Sequence, residues 1–242
     1  MIILGIETAT DICASAIIDN TDVLIERTIS TPHSHSERLL SIIDECFQEA
    51  RVPINAIDAV AISIGPGSFT GLRIGLSVAK GLAFANSKKL IAVSTLEALA
   101  ENARRNKVAS VGQIVLPMID ARRDEVYTAA YSIKDADLEE IIPPCSITLS
   151  ESINLIKAEH SIIVIGDGAA KFKDYLKKVD LKQSSRYIIP PSALQLCSAV
   201  SVAMLGKRKL EKNEISNIDT LEPFYVKDFY TLVKTQHQKV KI

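Results

Sequence analysis

Residues 59–84 have the sequence AVAISIGPGSFTGLRIGLSVAKGLAF, which predicts a strand, a glycine turn and a helix in succession. The apolar run 59–64 is short and partly β-branched, as is typical of a strand buried on both faces of a sheet. Gly65, Pro66 and Gly67 end that strand, and Ser68 or Thr70 is placed to cap the helix that follows. The stretch therefore predicts one strand–helix unit of an α/β fold.

Three common glycine-loop motifs fail on spacing in this loop. A Walker A loop requires Lys-Ser or Lys-Thr after its last glycine, whereas Gly71 is followed by Leu72 and Arg73. A dinucleotide-binding fingerprint requires Gly-x-Gly-x-x-Gly, and Gly65, Gly67 and Gly71 contain one residue too many. A Gly-x-Ser-x-Gly nucleophile elbow is absent. The loop therefore does not by itself predict a nucleotide site or a catalytic serine.

Two predicted helices, 37–50 and 71–84, carry more apolar surface than one sheet requires. In the second helix, Gly71, Gly75 and Ala79 recur every four residues and form a smooth stripe. Two explanations stay open: the surplus is buried in its own domain, or it packs on a second chain. The second explanation predicts a homodimer with a four-helix layer. Its interface residues are Leu39, Leu40, Ile43, Cys46, Phe47, Gly71, Leu72, Gly75, Leu76, Val78, Ala79 and Leu82.

Bulk composition excludes several classes of protein. The 242 residues are 47% hydrophobic, with 28 basic and 29 acidic side chains, so the electrostatic footprint of a nucleic-acid-binding protein is missing. Cys13, Cys46, Cys145 and Cys197 form no Cys-x-x-Cys pair, which favours buried thiols in a reducing compartment. The N-terminus lacks a basic leader, and no apolar run approaches about 18 residues. We expect a cytoplasmic protein without a membrane segment.

The predicted elements repeat one topology: three strands, a helix, a strand, a helix, a strand and a helix. Capping-box spacing opens the first and third helices, at Ser34 with Glu37 and at Ser94 with Glu97. The predicted strands are 2–7, 12–19, 22–29, 59–64, 89–93, 112–120, 125–133, 140–148, 161–165 and 187–189. The predicted helices are 37–50, 71–84, 94–105, 150–158, 169–179 and 192–210. We therefore predict domains at 1–108 and 109–212, with a tail, 213–242, that returns to the first domain.

The segment ILGIETATD at 3–11, at the start of a duplicated unit, resembles the superfamily of actin, sugar kinases and heat-shock ATPases, built from twin ribonuclease-H-like domains. Together with GPGSFTGLRIG at 65–75 and PMIDARRDEVY at 117–127, the resemblance narrows to the bacterial TsaB (YeaZ) family of tRNA threonylcarbamoyladenosine biosynthesis proteins. It covers most of the chain. The fold that it implies is α/β, with two ribonuclease-H-like domains.

The superfamily resemblance also implies a candidate nucleotide site. The first turn, Thr8 to Thr10, would wrap phosphates, an acid at Glu7 would organise magnesium, and a turn at 166–168 would meet adenosine. The candidate residues are Glu7, Thr8, Thr10, Gly166, Asp167 and Gly168. An ordinary tight turn after a strand explains Gly166-Asp-Gly equally well.

The TsaB resemblance implies a subunit without catalysis of its own, which pairs with the related enzyme TsaD and also works with TsaE. It implies that tRNA is met only through the complex. No cofactor is then required by the chain alone, and ATP or ADP with magnesium belongs to the complex. The rival hypothesis is an ATPase or phosphotransferase that uses Glu7 and the two turns. A third hypothesis, direct tRNA binding, predicts a salt dependence that the near-neutral charge does not support.

Other searches for catalytic or metal sites favour structural explanations. His33 and His35 lie two residues apart, which does not match the His-x-x-x-His metal motif of TsaD on one helical face. Ser68 and Ser94 are better explained as helix caps. The acids at 120, 124 and 125 surround Arg122 and Arg123, which favours a salt-bridged hairpin. We therefore predict neither catalytic residues nor a metal site.

Overall fold

Two five-stranded sheets form the centre of the computed structural model, which describes residues 1–30, 35–135, 137–156, 161–179 and 184–226. The first sheet has the order β3-β2-β1-β4-β5, in which β4 and β5 run parallel to β1 and the other pairs are antiparallel. Its strands are β1 (Ile2–Glu7), β2 (Ile12–Asp19), β3 (Asp22–Ser30), β4 (Ala59–Ser63) and β5 (Lys89–Val93).

The second sheet repeats that pattern in the order β10-β9-β6-β7-β8. Its strands are β6 (Ile114–Asp120), β7 (Glu125–Ile133), β8 (Leu138–Thr148), β9 (Ile162–Ile165) and β10 (Tyr187–Ile188). Here too, β9 is parallel to β6, whereas β6, β7 and β8 pair antiparallel. The predicted α/β fold with two ribonuclease-H-like units is confirmed.

Six α-helices complete the described part of the chain: α1 (His35–Ala50), α2 (Phe69–Ala85), α3 (Thr95–Arg105), α4 (Leu149–Ser152), α5 (Gly168–Val179) and α6 (Ala199–Glu211). Ser68 and Ser94 cap α2 and α3 through their hydroxyls, as predicted. The predicted cap at Ser34 lies outside the described residues. The predicted helix 192–210 is interrupted, because Ser198 starts α6 with its own cap. The predicted helix 150–158 is only the single turn α4, within the part that is described.

The helices α3 and α6 lie between the two sheets. Each of them packs on the sheet of the other predicted domain. Predicted domain 109–212 includes α6, yet α6 packs on the first sheet, against Ile3, Ala14 and Ala61. The contact is close because a Cβ on Gly5 would lie 2.2 Å from the Ala199 carbonyl oxygen. The helix α3, predicted in 1–108, instead buries its apolar residues against the second sheet. The linear boundary is therefore wrong for both helices.

A buried ion network joins these two helices. Glu101 of α3 is fully buried, and its carboxylate contacts Arg104 at 2.7 Å and Arg208 of α6 at 2.6 Å. Because a buried carboxylate is costly unless it is paired, this network ties α3 to α6 in one arrangement.

Residues 214–226 follow the edge of the first sheet. Ser216 pairs with Leu90, and the amide of Phe224 donates to the Ile64 carbonyl at 2.7 Å. This part of the tail returns to the first sheet, and 227–242 lies outside the described residues. Among the described helices, none is both long and apolar enough to cross a membrane.

Candidate functional site

The helices α1 and α2 pack beside each other on one face of the first sheet. Most of the predicted interface is buried between these helices and that sheet, so the prediction is wrong for those residues. The buried members are Leu39, Ile43, Cys46, Gly71, Leu72, Gly75, Leu76 and Ala79. The explanation that places the surplus apolar surface inside the domain therefore holds for them.

The glycine stripe of α2 fits the turn after β1. A Cβ on Gly71 would lie 2.1 Å from the Thr8 carbonyl oxygen, and one on Gly75 would lie 2.1 Å from the Thr8 hydroxyl oxygen. Both glycines are therefore required by the chain's own packing. The predicted role of this stripe in close approach to a second chain is wrong.

The remaining predicted residues lie on an outward face that the two helices share. Leu40 is 58% exposed, and Phe47, Val78 and Leu82 are partly exposed. Sequence reasoning missed two apolar neighbours on α2: Ile74, which is partly exposed, and Phe84, which is 76% exposed. We call these six residues the outward face.

A second stripe of small residues runs beside the outward face. Ser77, Gly81 and Ala85 are spaced by four, and all three are exposed. A Cβ on Gly81 would meet no atom of the described residues within 4 Å. The spacing signal was present in the sequence, but periodicity alone does not say which of two small stripes faces the sheet.

A cleft of about 780 Å³ opens between the two sheets. Its walls are formed by the turn after β1, the loop before α2, the β6–β7 hairpin and residues 224–226. The titratable side chains of Asp11, His35, Asp120, Arg122 and Asp167 lie in the walls, and the aromatic residues there are Phe69, Tyr127, Phe224 and Tyr225. In the described chain, His35 is the one cleft histidine, and its Nε2 lies 3.2 Å from the Ile12 carbonyl oxygen. The other histidines, at 33, 160 and 237, lie outside the described residues.

Three of the predicted nucleotide-binding residues, Glu7, Thr8 and Thr10, lie behind the cleft wall. Glu7 is fully buried, and its Oε1 accepts a hydrogen bond from the Ala9 amide at 2.6 Å. Desolvation raises the pKa of this carboxyl to about 7. Thr8 is also fully buried, while Thr10 accepts from the Ile12 amide. None of the three lines the cleft.

The loop before α2 covers the turn that would wrap phosphates. The Ser68 amide donates to the Ala9 carbonyl oxygen at 2.6 Å, and a Cβ on Gly67 would lie 2.2 Å from the same oxygen. This contact occupies the carbonyl oxygen of Ala9. In the parts of the chain that the structure describes, no group of three His, Cys, Asp or Glu side chains is placed to hold a metal ion. Glu7, Thr8 and Thr10 therefore do not present a phosphate cradle to the cleft.

The second predicted nucleotide turn contributes one side chain to the cleft. Gly166 has φ +110° and lies against Met118, where a Cβ would be 2.2 Å from the carbonyl oxygen. Gly168 begins α5 against the same residue. Asp167 reaches the cleft and accepts from the Asp120 amide at 2.9 Å. Desolvation by the cleft walls and the neighbouring Asp120 and Asp11 raise the pKa of Asp167, although solvent reaches its side chain.

The prediction that Arg122 and Arg123 form salt bridges within the β6–β7 hairpin is wrong. Asp120 pairs instead with Lys171 of α5, at 2.8 Å. Arg122 and Arg123 both have a positive φ, +67° and +49°, and neither forms an ion pair with a described residue. The arginines and the acids at 120, 124 and 125 are close in sequence, which suggested that they pair. In the left-handed turn they form no ion pairs with one another.

Comparison with known proteins gives consistent matches. The family model for TsaD, tRNA N6-adenosine threonylcarbamoyltransferase, matches residues 23–234. The tRNA threonylcarbamoyladenosine biosynthesis protein TsaB of Haemophilus influenzae is 30% identical over 96% of each chain, and TsaB of Bacillus subtilis is 27% identical over 94% of each. The structure of YeaZ from Pseudomonas aeruginosa superposes with a TM-score of 0.79 at 27% identity, covering 93% of this chain and 99% of that one.

Proposed function

Because this chain belongs to the TsaB (YeaZ) family of tRNA threonylcarbamoyladenosine biosynthesis proteins, we propose that it is a non-catalytic subunit that docks on TsaD through the outward face. In that role it supports transfer of threonylcarbamoyl to the adenosine beside the tRNA anticodon. The same face serves a homodimer when TsaD is absent. TsaE joins the complex, and ATP or ADP with magnesium is held there by the other subunits.

The observation that carries this proposal is Gly81. A glycine inside a helix costs about 1 kcal/mol relative to alanine, and among the described residues nothing within 4 Å of a Cβ at Gly81 requires the glycine. Close approach of a second helix supplies a reason, because small residues allow backbones to come near one another. The outward face beside Gly81 would then be removed from water.

The apolar area is sufficient for such a contact. Each fully buried large apolar side chain contributes on the order of 1.5–3 kcal/mol. Leu40 and Phe84 are mostly exposed in the isolated chain, so their burial would provide several kcal/mol toward the cost of association. The rival hypothesis of an ATPase receives no such support, since Glu7 is enclosed.

We expect Gly81→Arg to abolish the complex with TsaD and the homodimer while the chain stays folded. The new side chain meets open space among the described residues of the monomer but would be forced against the partner. Analytical ultracentrifugation of the variant with cognate TsaD measures association, and circular dichroism confirms the fold.

The matched control is Ala170→Arg, which places the same charge on an exposed position of α5 in the second unit. This control should associate as the parent chain does. A folded Gly81→Arg variant that still forms both complexes would show that docking occurs elsewhere.

A further inference from the structure

The tip of the β6–β7 hairpin holds two consecutive arginines in a conformation that arginine rarely adopts. The φ angles of +67° at Arg122 and +49° at Arg123 are left-handed, a region that asparagine and glycine occupy more easily. Both side chains are exposed, and within the described ranges neither guanidinium has an ion-pair or hydrogen-bond partner. The stability of the turn therefore does not explain why arginine occupies these positions.

Two acids beside this tip, Asp120 and Asp167, are already engaged. Asp120 Oδ1 accepts from Lys171 Nζ at 2.8 Å and from the Arg122 amide at 2.7 Å. Asp167 accepts from the Asp120 amide. Among the described residues, neither these two acids nor the adjacent Asp124 forms an ion pair with Arg122 or Arg123, so both guanidiniums can contact an anion from outside the chain.

The opposite side of the cleft mouth carries a third guanidinium, together with aromatic rings. The Arg73 guanidinium lies 3.5 Å from the centre of the Phe69 ring, and that ring lies 5.5 Å from the ring of Tyr225. Arg73 is exposed and has no ion pair among the described residues. Because Phe69, Tyr225 and Arg122 line the same cleft, guanidiniums flank its mouth on both sides.

We propose that this cleft mouth contacts the RNA substrate, with Arg73, Arg122 and Arg123 on phosphates and an unpaired base stacked on the Phe69–Tyr225 ring pair. Guanidiniums beside stacking platforms are the combination that binds single-stranded RNA. The carboxylates of Asp11 and Asp167, which line the same cleft, are acceptors for amino groups of a base. An acidic protein segment would use the guanidiniums but neither the rings nor these acids.

This inference rests on the proposed function, since it assigns one RNA contact of the complex to this chain. The N-terminal turn of α2 borders the cleft mouth through Phe69 and Arg73, and the outward face follows farther along the same helix. A docked partner and a bound RNA would therefore be neighbours on α2. With a net charge of −1 and about three phosphate contacts, the isolated chain binds RNA weakly, and the complex supplies the remaining contacts.

The test uses the full chain in complex with TsaD and a fluorescently labelled cognate tRNA, titrated by anisotropy at several salt concentrations. Arg122→Asn with Arg123→Gly removes both guanidiniums and suits the left-handed turn. We expect tRNA affinity to fall about tenfold or more. The salt slope should fall by about 1.4, since each single-strand phosphate contact contributes about 0.7. The melting temperature should not fall.

The control is Arg51→Gly with Lys107→Gly, which removes two positive charges from residues with φ of +55° and +54° that do not line the cleft. This control should bind tRNA as the parent chain does. Equal affinity of the hairpin variant and the control overturns the inference. Displacement of the tRNA by polyglutamate as effective as by unlabelled tRNA would assign the surface to an acidic protein, and equal displacement by free ATP would assign it to a nucleotide.

Sedimentation of the same samples separates this inference from the proposed function. If the parent chain does not associate with TsaD, the proposed function itself is contradicted. Intact association, with tRNA affinity unchanged in the hairpin variant, overturns only the RNA contact.

Discussion

A Gly75→Arg chain is expected not to fold. In the structure a Cβ at this position would lie 2.1 Å from the hydroxyl oxygen of Thr8 and 3.1 Å from Ile62 Cδ1, and Thr8 is fully buried. An arginine there would push α2 off the first sheet or bury an unpaired charge. Either outcome costs more than about 4 kcal/mol, a large part of the stability of an ordinary domain.

The measurement is circular dichroism with chemical denaturation, made on Gly75→Arg beside Gly81→Arg. The two variants receive the same side chain in the same helix, six residues apart. Only the Gly75 variant should lose its cooperative unfolding transition. If Gly75→Arg folds with near-parental stability, α2 does not pack on the turn after β1 as the structure has it.

Replacing Glu7 by glutamine is expected to stabilise the protein above neutral pH. The carboxyl has a pKa of about 7 in the folded state against 4.5 as its ordinary value, because burial disfavours the charge. Between these two pH values the folded state keeps a proton that the unfolded state releases, so stability falls as pH rises from about 4.5 to 7 and then levels off. At about 1.4 kcal/mol per pH unit, the loss is on the order of 3 kcal/mol.

Glutamine carries no charge, and it retains an oxygen for the Ala9 amide. Its NH₂ group can donate to hydroxyls beside it, such as that of Ser63, whose oxygen has no other hydrogen-bond partner among the described residues. Urea unfolding measures the free energy of unfolding at pH 5 and at pH 8. The difference between these two free energies should be smaller for Glu7→Gln than for the parent chain. An exposed control, Glu222→Gln, should leave that difference unchanged. If Glu7→Gln shows the same difference in unfolding free energy as the parent chain, Glu7 is not the source of the pH dependence.

Local pattern was sufficient to predict the strand–helix unit at 59–84. Its apolar run, its Gly-Pro-Gly turn and its serine cap each act within a few residues, and the structure has β4, the end of that strand and the Ser68 cap in those places. The repeated order of strands and helices was equally local, and the structure has the elements in that order in both halves of the chain.

The direction in which a helix face points depends on contacts that are distant in sequence. Gly75 and Gly81 lie on stripes of identical spacing, but only the position of Thr8 in space decides that Gly75 is buried. The covering of Glu7 is a similar case, since it depends on the loop that contacts Ala9. Superfamily resemblance placed Glu7 at the end of β1 without revealing that a nearby loop closes over it.

The packing of α6 has a consequence for the order in which the protein is made. All five strands of the first sheet have left the ribosome once residue 93 has, but the helix that covers one face of that sheet ends at Glu211. The Gly5–Ala199 contact joins residues that are 194 positions apart, so its loop must close late and at a high entropic cost. Until then the apolar face around Ile3 and Ala61 has no cover from α6. During synthesis, the first half of the nascent chain is therefore the part that depends most on protection from aggregation.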